Sequence, residues 1–148
     1  MLIDILRKEL IKLNVKCNDW KEAIEEGAYL LEKEGIVNKN YKDAIINNFY
    51  ELGPYMVIAP GIVLSHARPE AGVNNNGISI LTLEDPIEFG SELNDPVKLI
   101  ITLAAKDNTS HLSALSKLME ILMNSDDLNS IINAKTVQEV VKIIEKYS

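Results

Sequence analysis

The apolar positions change period along the chain, and each period predicts a different element. Leu2, Ile3, Leu6, Leu10 and Ile11 recur at helical spacing and predict an opening helix. Leu13-Asn14-Val15-Lys16-Cys17 then alternates as a short strand does. Asp19-Trp20-Lys21-Glu22 has the spacing of a capping box, with Asp as the capping residue. It opens a helix whose apolar face holds Ala23, Ile24, Tyr29, Leu30 and Leu31, and which ends near Gly35. A third helix is predicted from about Asn40 to Leu52, with Gly53-Pro54 as its stop.

The middle of the chain has the period of strands. Met56 to Leu64 is apolar around an internal Pro60-Gly61, and a polar loop follows from Ser65 to Asn76. Gly77 to Leu83 is a strand candidate, Asp85-Pro86 is expected to turn the chain, and Ile87-Glu88-Phe89 is read as a short edge strand. Val97 to Ala105 is apolar at nearly every position between turn signals, which suits a strand covered on both faces.

Helical spacing returns after residue 106. Asp107-Asn108-Thr109-Ser110 supplies capping residues ahead of Leu112, Leu115, Leu118, Met119 and Leu122. Ser125 is placed to cap a short helix with Leu128, Ile131 and Ile132, and Thr136-Val137-Gln138-Glu139 is a second capping box, ahead of Val140, Val141, Ile143 and Ile144. Helices before, among and after buried strands imply an α/β fold, a sheet with helices on both sides. No repeat, low-complexity tract or linker interrupts the chain, so residues 1–148 are read as one domain.

Composition narrows the function classes. No apolar run reaches the roughly 18 residues a membrane span needs, and charge enters too early for a signal peptide, which predicts a cytoplasmic protein with no direct membrane insertion. A net charge of −7 argues against a nucleic-acid partner, which calls for a basic face, and suits docking on basic patches of other proteins. The single cysteine, Cys17, excludes an internal disulfide and a cysteine-rich metal site, and its apolar neighbours suit a structural thiol.

Only two histidines are present. His66 lies in Ser65-His66-Ala67-Arg68-Pro69-Glu70, directly after an apolar strand and inside a polar loop, where functional side chains concentrate. His111 follows the capping cluster and belongs in the first turn of a helix, the end that offers unpaired N–H groups to an anion. Brought together they suit phosphoryl chemistry. His66 is then the nucleophile, His111 and the helix start stabilise the equatorial oxygens, and Arg68 reaches the same oxygens by charge-assisted hydrogen bonds. On residue types alone a plainer assignment stays open, with His66 solvated in its loop, His111 serving as a cap and Arg68 in a surface ion pair. A metal site is not expected, because no close-spaced third ligand accompanies the histidines, and no glycine-rich phosphate loop is present.

The run from Gly53 to Glu70, Gly53-Pro54-Tyr55-Met56-Val57-Ile58-Ala59-Pro60-Gly61-Ile62-Val63-Leu64-Ser65-His66-Ala67-Arg68-Pro69-Glu70, resembles the phosphorylation-site segment of the enzyme IIA family of mannitol and fructose type, closest to its ascorbate-associated branch. The resemblance continues through Gly77-Ile78-Ser79-Ile80-Leu81-Thr82-Leu83, Phe89-Gly90, Asn94-Asp95-Pro96-Val97 and Ala104 to Leu112, and both histidines fall on the family's two histidine positions. It implies a mixed β-sheet between helical layers. It also implies that the residue matching His66 takes a phosphoryl group from a histidine-containing phosphocarrier protein and passes it to a cysteine of enzyme IIB, for uptake of an ascorbate-like carbohydrate through the membrane enzyme IIC. His111 is implied to help hold the group, with no metal and no organic cofactor. Two positions depart from the family. Ser65 stands where proline is usual, and its hydroxyl either bonds the phosphoryl group or faces water. Residues 40–52 lack the arginine of mannitol-type members, which leaves Arg68 as the candidate substitute. A regulatory module, in which phosphorylation of the same histidine controls a transcription regulator or kinase, is the alternative function.

Overall fold

The computed structural model describes residues 2–148. Its frame is a five-stranded mixed sheet in the order β1-β4-β5-β3-β2, built from β1 (Ile11–Val15), β2 (Val57–Ala59), β3 (Ile62–Ser65), β4 (Gly77–Ile87) and β5 (Val97–Ala104). β1 runs parallel to β4 and β3 parallel to β5, while β4–β5 and β2–β3 are antiparallel. The helices are α1 (Leu2–Ile5), α2 (Trp20–Glu32), α3 (Asn40–Leu52), α4 (Asn108–Leu122), α5 (Ser125–Ile132) and α6 (Val137–Lys146). A mixed sheet between helical layers is the expected α/β architecture.

Alternation along the strands divides the core in two. Val63 and Ile100 face α2 and α3, while Ile62, Leu64, Leu99, Ile101 and Leu103 face α1, α4, α5 and α6. β5 is the central strand and all but one of its residues are buried, as its nearly continuous apolar run predicted. Each of its large aliphatic side chains contributes roughly 1.5–3 kcal/mol by leaving water. Aromatic packing belongs to the α2/α3 side, where Trp20 stacks on Phe49 at 4.0 Å and Phe49 meets Phe89 edge-on at 6.1 Å.

One rung of this sheet carries hydroxyls. Ser65, Thr102 and Ser79 are in register on β3, β5 and β4, and all three are fully buried. Ser79 donates to the Gly27 carbonyl of α2 at 2.8 Å. A Cβ at Gly27 would lie 2.7 Å from Thr102 Oγ1, so the missing side chain lets α2 settle onto this rung.

Local signals place most boundaries. Asp19 and Thr136 cap α2 and α6 by accepting from the amides of Glu22 and Glu139. The returning carboxylates reach one residue further than a capping box requires, to the amides of Asn18 and Lys135. α3 spans the expected residues, and Gly53 ends it at φ 77°, a left-handed value that favours glycine. Gly61 takes the same φ in the turn between β2 and β3.

Several expectations are corrected. The opening helix is one turn, because a 3₁₀ turn at Lys8–Leu10 precedes β1 and Ile11 pairs with Ile80, so the strand starts earlier and ends at Val15. Asp85-Pro86 does not turn the chain. β4 continues to Ile87, with residues 83–86 opposite Lys98 alone, and this bulge keeps proline, which has no N–H to give, out of the regular ladder. Tyr29, Leu112 and Met119 point outward, and α4 instead buries Ala114, Leu118 and Ile121. Asn124, one residue before Ser125, caps α5.

Candidate functional site

Two parallel neighbours, β3 and β5, end on the same side of the sheet, and ligand clefts in α/β folds form at such carboxyl ends. Here the cleft has a volume of about 540 Å³ and takes its walls from the chain leaving β3 (His66, Ala67, Arg68), the chain leaving β5 (Ala105, Asp107, Asn108, His111) and the end of α3 (Asn48, Glu51, Leu52). Tyr55 closes it from the segment after α3.

The two histidines, 45 positions apart in the chain (111 − 66), meet in this cleft with ring centroids 5.8 Å apart and planes inclined by 55°. His66 is half-buried. Its Nδ1 lies 3.3 Å from the Leu64 carbonyl, which can only accept, so Nδ1 carries the proton and the Nε2 lone pair is left unprotonated. Burial is the main reason its pKa lies below the ordinary histidine value, and the nearby His111 pushes the same way, against the Leu64 carbonyl. A neutral ring with a defined tautomer and a free Nε2 is the form a nucleophilic histidine needs. Tyr55 meets the His66 ring edge-on at 6.3 Å.

His111 stands in the first turn of α4. Asp107 caps that helix, its carboxylate accepting from the Ser110 amide at 2.7 Å while its carbonyl accepts from the His111 amide at 3.0 Å. The Ser110 amide holds the Asp107 carboxyl below the usual range. Arg68 is exposed at the rim, is the only lysine or arginine lining the cleft among the described residues, and has no carboxylate within ion-pair distance there.

Ser65 goes elsewhere. It is the last residue of β3, its side chain is fully buried on the α2/α3 side, and its Oγ has no hydrogen-bond partner. It does not line the cleft, so neither of the roles the sequence offered its hydroxyl, a phosphoryl ligand or a solvated group, fits. Three residues beside the histidines were not flagged by the sequence: Asn48 and Tyr55, which line the cleft, and Tyr41, which lies behind it. An aromatic residue just past the Gly53-Pro54 stop was the one available signal for Tyr55. Tyr41 and Asn48 read only as helix positions. Among the described residues no group of three His, Cys, Asp or Glu side chains could hold a metal ion, and no helix is long and apolar enough to cross a membrane.

Comparison with known proteins gives this geometry a context. Residues 4–147 match the family model described as "Phosphoenolpyruvate-dependent sugar phosphotransferase system, EIIA 2". The ascorbate-specific PTS system EIIA component of Salmonella typhi is 37% identical over 137 residues, covering 92% of this chain and 89% of that one. The solution structure of the mannitol-specific cryptic phosphotransferase enzyme IIA CmtB from Escherichia coli superimposes with a TM-score of 0.89 at 33% identity, over 98% of both chains. The enzyme IIA of the Escherichia coli mannitol system, solved in complex with its phosphorylated enzyme IIB, shares the fold with a TM-score of 0.82 at 24% identity, over 93% of this chain and 95% of that one.

Proposed function

The chain belongs to the EIIA type 2 family of the phosphoenolpyruvate-dependent sugar phosphotransferase system, and from that premise we propose that His66 is its phosphoryl carrier, acting through Nε2. As a member it is a phosphotransferase component of a sugar transport system. The observation that carries the assignment is the hydrogen bond from His66 Nδ1 to the Leu64 carbonyl, which frees Nε2 inside a cleft shared with His111.

The transfer balances without a general base. The Nε2 lone pair attacks the phosphorus of a phosphohistidine on the incoming phosphocarrier protein. An Nε2–P bond forms as the donor N–P bond breaks, and the donor nitrogen keeps the electron pair. Nδ1 holds its proton on Leu64 throughout. In the second half-reaction a cysteine thiolate of enzyme IIB attacks the same phosphorus, an S–P bond forms and Nε2 recovers its lone pair. His111 supplies a ring N–H to the equatorial oxygens and Arg68 adds charge at the rim. The pairing with enzyme IIB is supported by the mannitol relative, which was solved bound to that partner.

Leu52 and Tyr55 expose apolar surface in the cleft wall, which suits brief docking of one partner after the other on overlapping ground. Likeness to the ascorbate-specific relative favours an ascorbate-like carbohydrate as the cargo of the system, and the cytoplasm is the proposed place of work. No metal or organic cofactor enters any step.

Intact-protein mass spectrometry after incubation with phosphoenolpyruvate, enzyme I and the phosphocarrier protein tests the assignment. The native chain is expected to gain one phosphoryl mass, labile in acid, and the His66→Ala chain none. A phosphoryl mass on His66→Ala would overturn it.

A further inference from the structure

Tyr41, the second residue of α3, is fully buried and does not face the cleft. Its ring belongs to the core on the α2/α3 side, and its hydroxyl emerges between the two strands that end at the site. That hydroxyl accepts from the Ala67 backbone N–H at 3.0 Å and donates to the Leu103 carbonyl at 2.6 Å. The Ala67 carbonyl, at 3.2 Å, is the longer alternative acceptor for the one proton.

The place of this bridge matters. The parallel ladder of β3 and β5 has its last register pair at Ser65 and Thr102. One residue past Thr102 and two past Ser65, the strands are joined through the phenol oxygen instead of a direct N–H to C=O bond. A bridging atom holds two backbones further apart than a rung does, so the hydroxyl both ties the strands and keeps them splayed where the cleft begins. Ala67 directly follows His66, and Leu103 leads through Ala105 to the Asp107 cap that sets the first turn of α4 and His111. The phenol therefore links the backbones of the two histidine arms.

We propose that Tyr41 is a positioning residue for phosphoryl transfer, its hydroxyl fixing the distance and orientation of His66 relative to His111. The proposal rests on the reading of His66 as the carrier. It goes beyond that reading because Tyr41 touches neither ring nor phosphoryl group and acts only through the backbone that carries them.

The test is Tyr41→Phe, which keeps the ring in the core and removes the bridging oxygen. At saturating phosphocarrier protein, transfer to His66 is expected to slow by roughly 10–100-fold, the scale on which an ångström of misplacement is felt. Half-saturation should stay at the native concentration, because the docking surface is untouched. The ¹⁵N spectrum of the His66 ring should shift from a single Nδ1–H tautomer toward a mixture, a change that mere loss of stability in a folded protein would not produce. Native transfer together with a native ¹⁵N pattern would overturn the proposal. Should the native protein take up no phosphoryl group at all, the reading of His66 fails separately. The ¹⁵N pattern then still decides whether Tyr41 orients the ring, a shifted pattern upholding the placement and an unchanged one sinking it. If Tyr41→Phe does not fold, hydrogen exchange on the native protein replaces it. The Ala67 amide, though outside any strand, should be protected like the amides of β5, and free exchange there would count decisively against the bridge.

Discussion

His66 and His111 reach one cleft by opposite means. His66 hangs from the end of a buried strand. Its ring is held by the Leu64 carbonyl two residues back, the next residue is held by Tyr41, and most of its surface is withdrawn from water. His111 sits on a helix start whose geometry depends on one exposed cap, Asp107, flanked by residues open to solvent. The first arm is fixed by the core and has its tautomer set by its own backbone, while the second is fixed locally and presents a donor. The difference suits a division of labour in which the rigid arm carries the group and the helical arm steadies it.

The strongest way to break this comparison is to remove the His111 ring. If it only steadies the phosphoryl group, His111→Ala should still be phosphorylated at His66 but pass the group on roughly 10²–10³-fold more slowly, the usual loss for one preorganised donor. Rapid-quench kinetics of both half-reactions would show it, and native rates would reduce His111 to a helix residue with no part in transfer.

A smaller effect is expected from Asp107→Ala. Without its carboxylate the Ser110 amide loses its partner and the first turn frays. The thermal midpoint should fall by a few degrees, and transfer should slow by less than in His111→Ala. A lowered midpoint with native transfer would show that the cap serves stability and that His111 is placed by other contacts.

The smallest effect sharpens the other arm. Ser65→Ala removes a buried hydroxyl that has no partner, so stability should be unchanged or higher by up to ~1 kcal/mol, with native transfer rates. A clear loss of transfer in this variant, measured beside a denaturant titration, would return Ser65 to the site and contradict its burial.

The sequence by itself determined the elements whose signals are local. Capping residues marked α2, α4 and α6, a glycine forced to positive φ marked the end of α3, and a nearly continuous apolar run marked β5 as a strand covered on both faces. It also singled out both histidines, because each sat at a boundary where a strand or helix begins or ends. Tertiary structure alone decided the rest, for one reason: contacts between distant residues leave no period in the chain. Ile11 obeyed helical spacing until Ile80 claimed it for a ladder, and Pro86 signalled a turn that a bulge absorbed. Ser65 lies next to His66 in sequence, yet as the last strand residue it turns its side chain into the core instead of into the cleft. Tyr41, 25 positions earlier (66 − 41), reaches the backbone of Ala67 because the fold sets the start of α3 beside the chain that leaves β3. Adjacency in the chain names candidates for the site, and only the packing of strand ends against helices decides which of them share it.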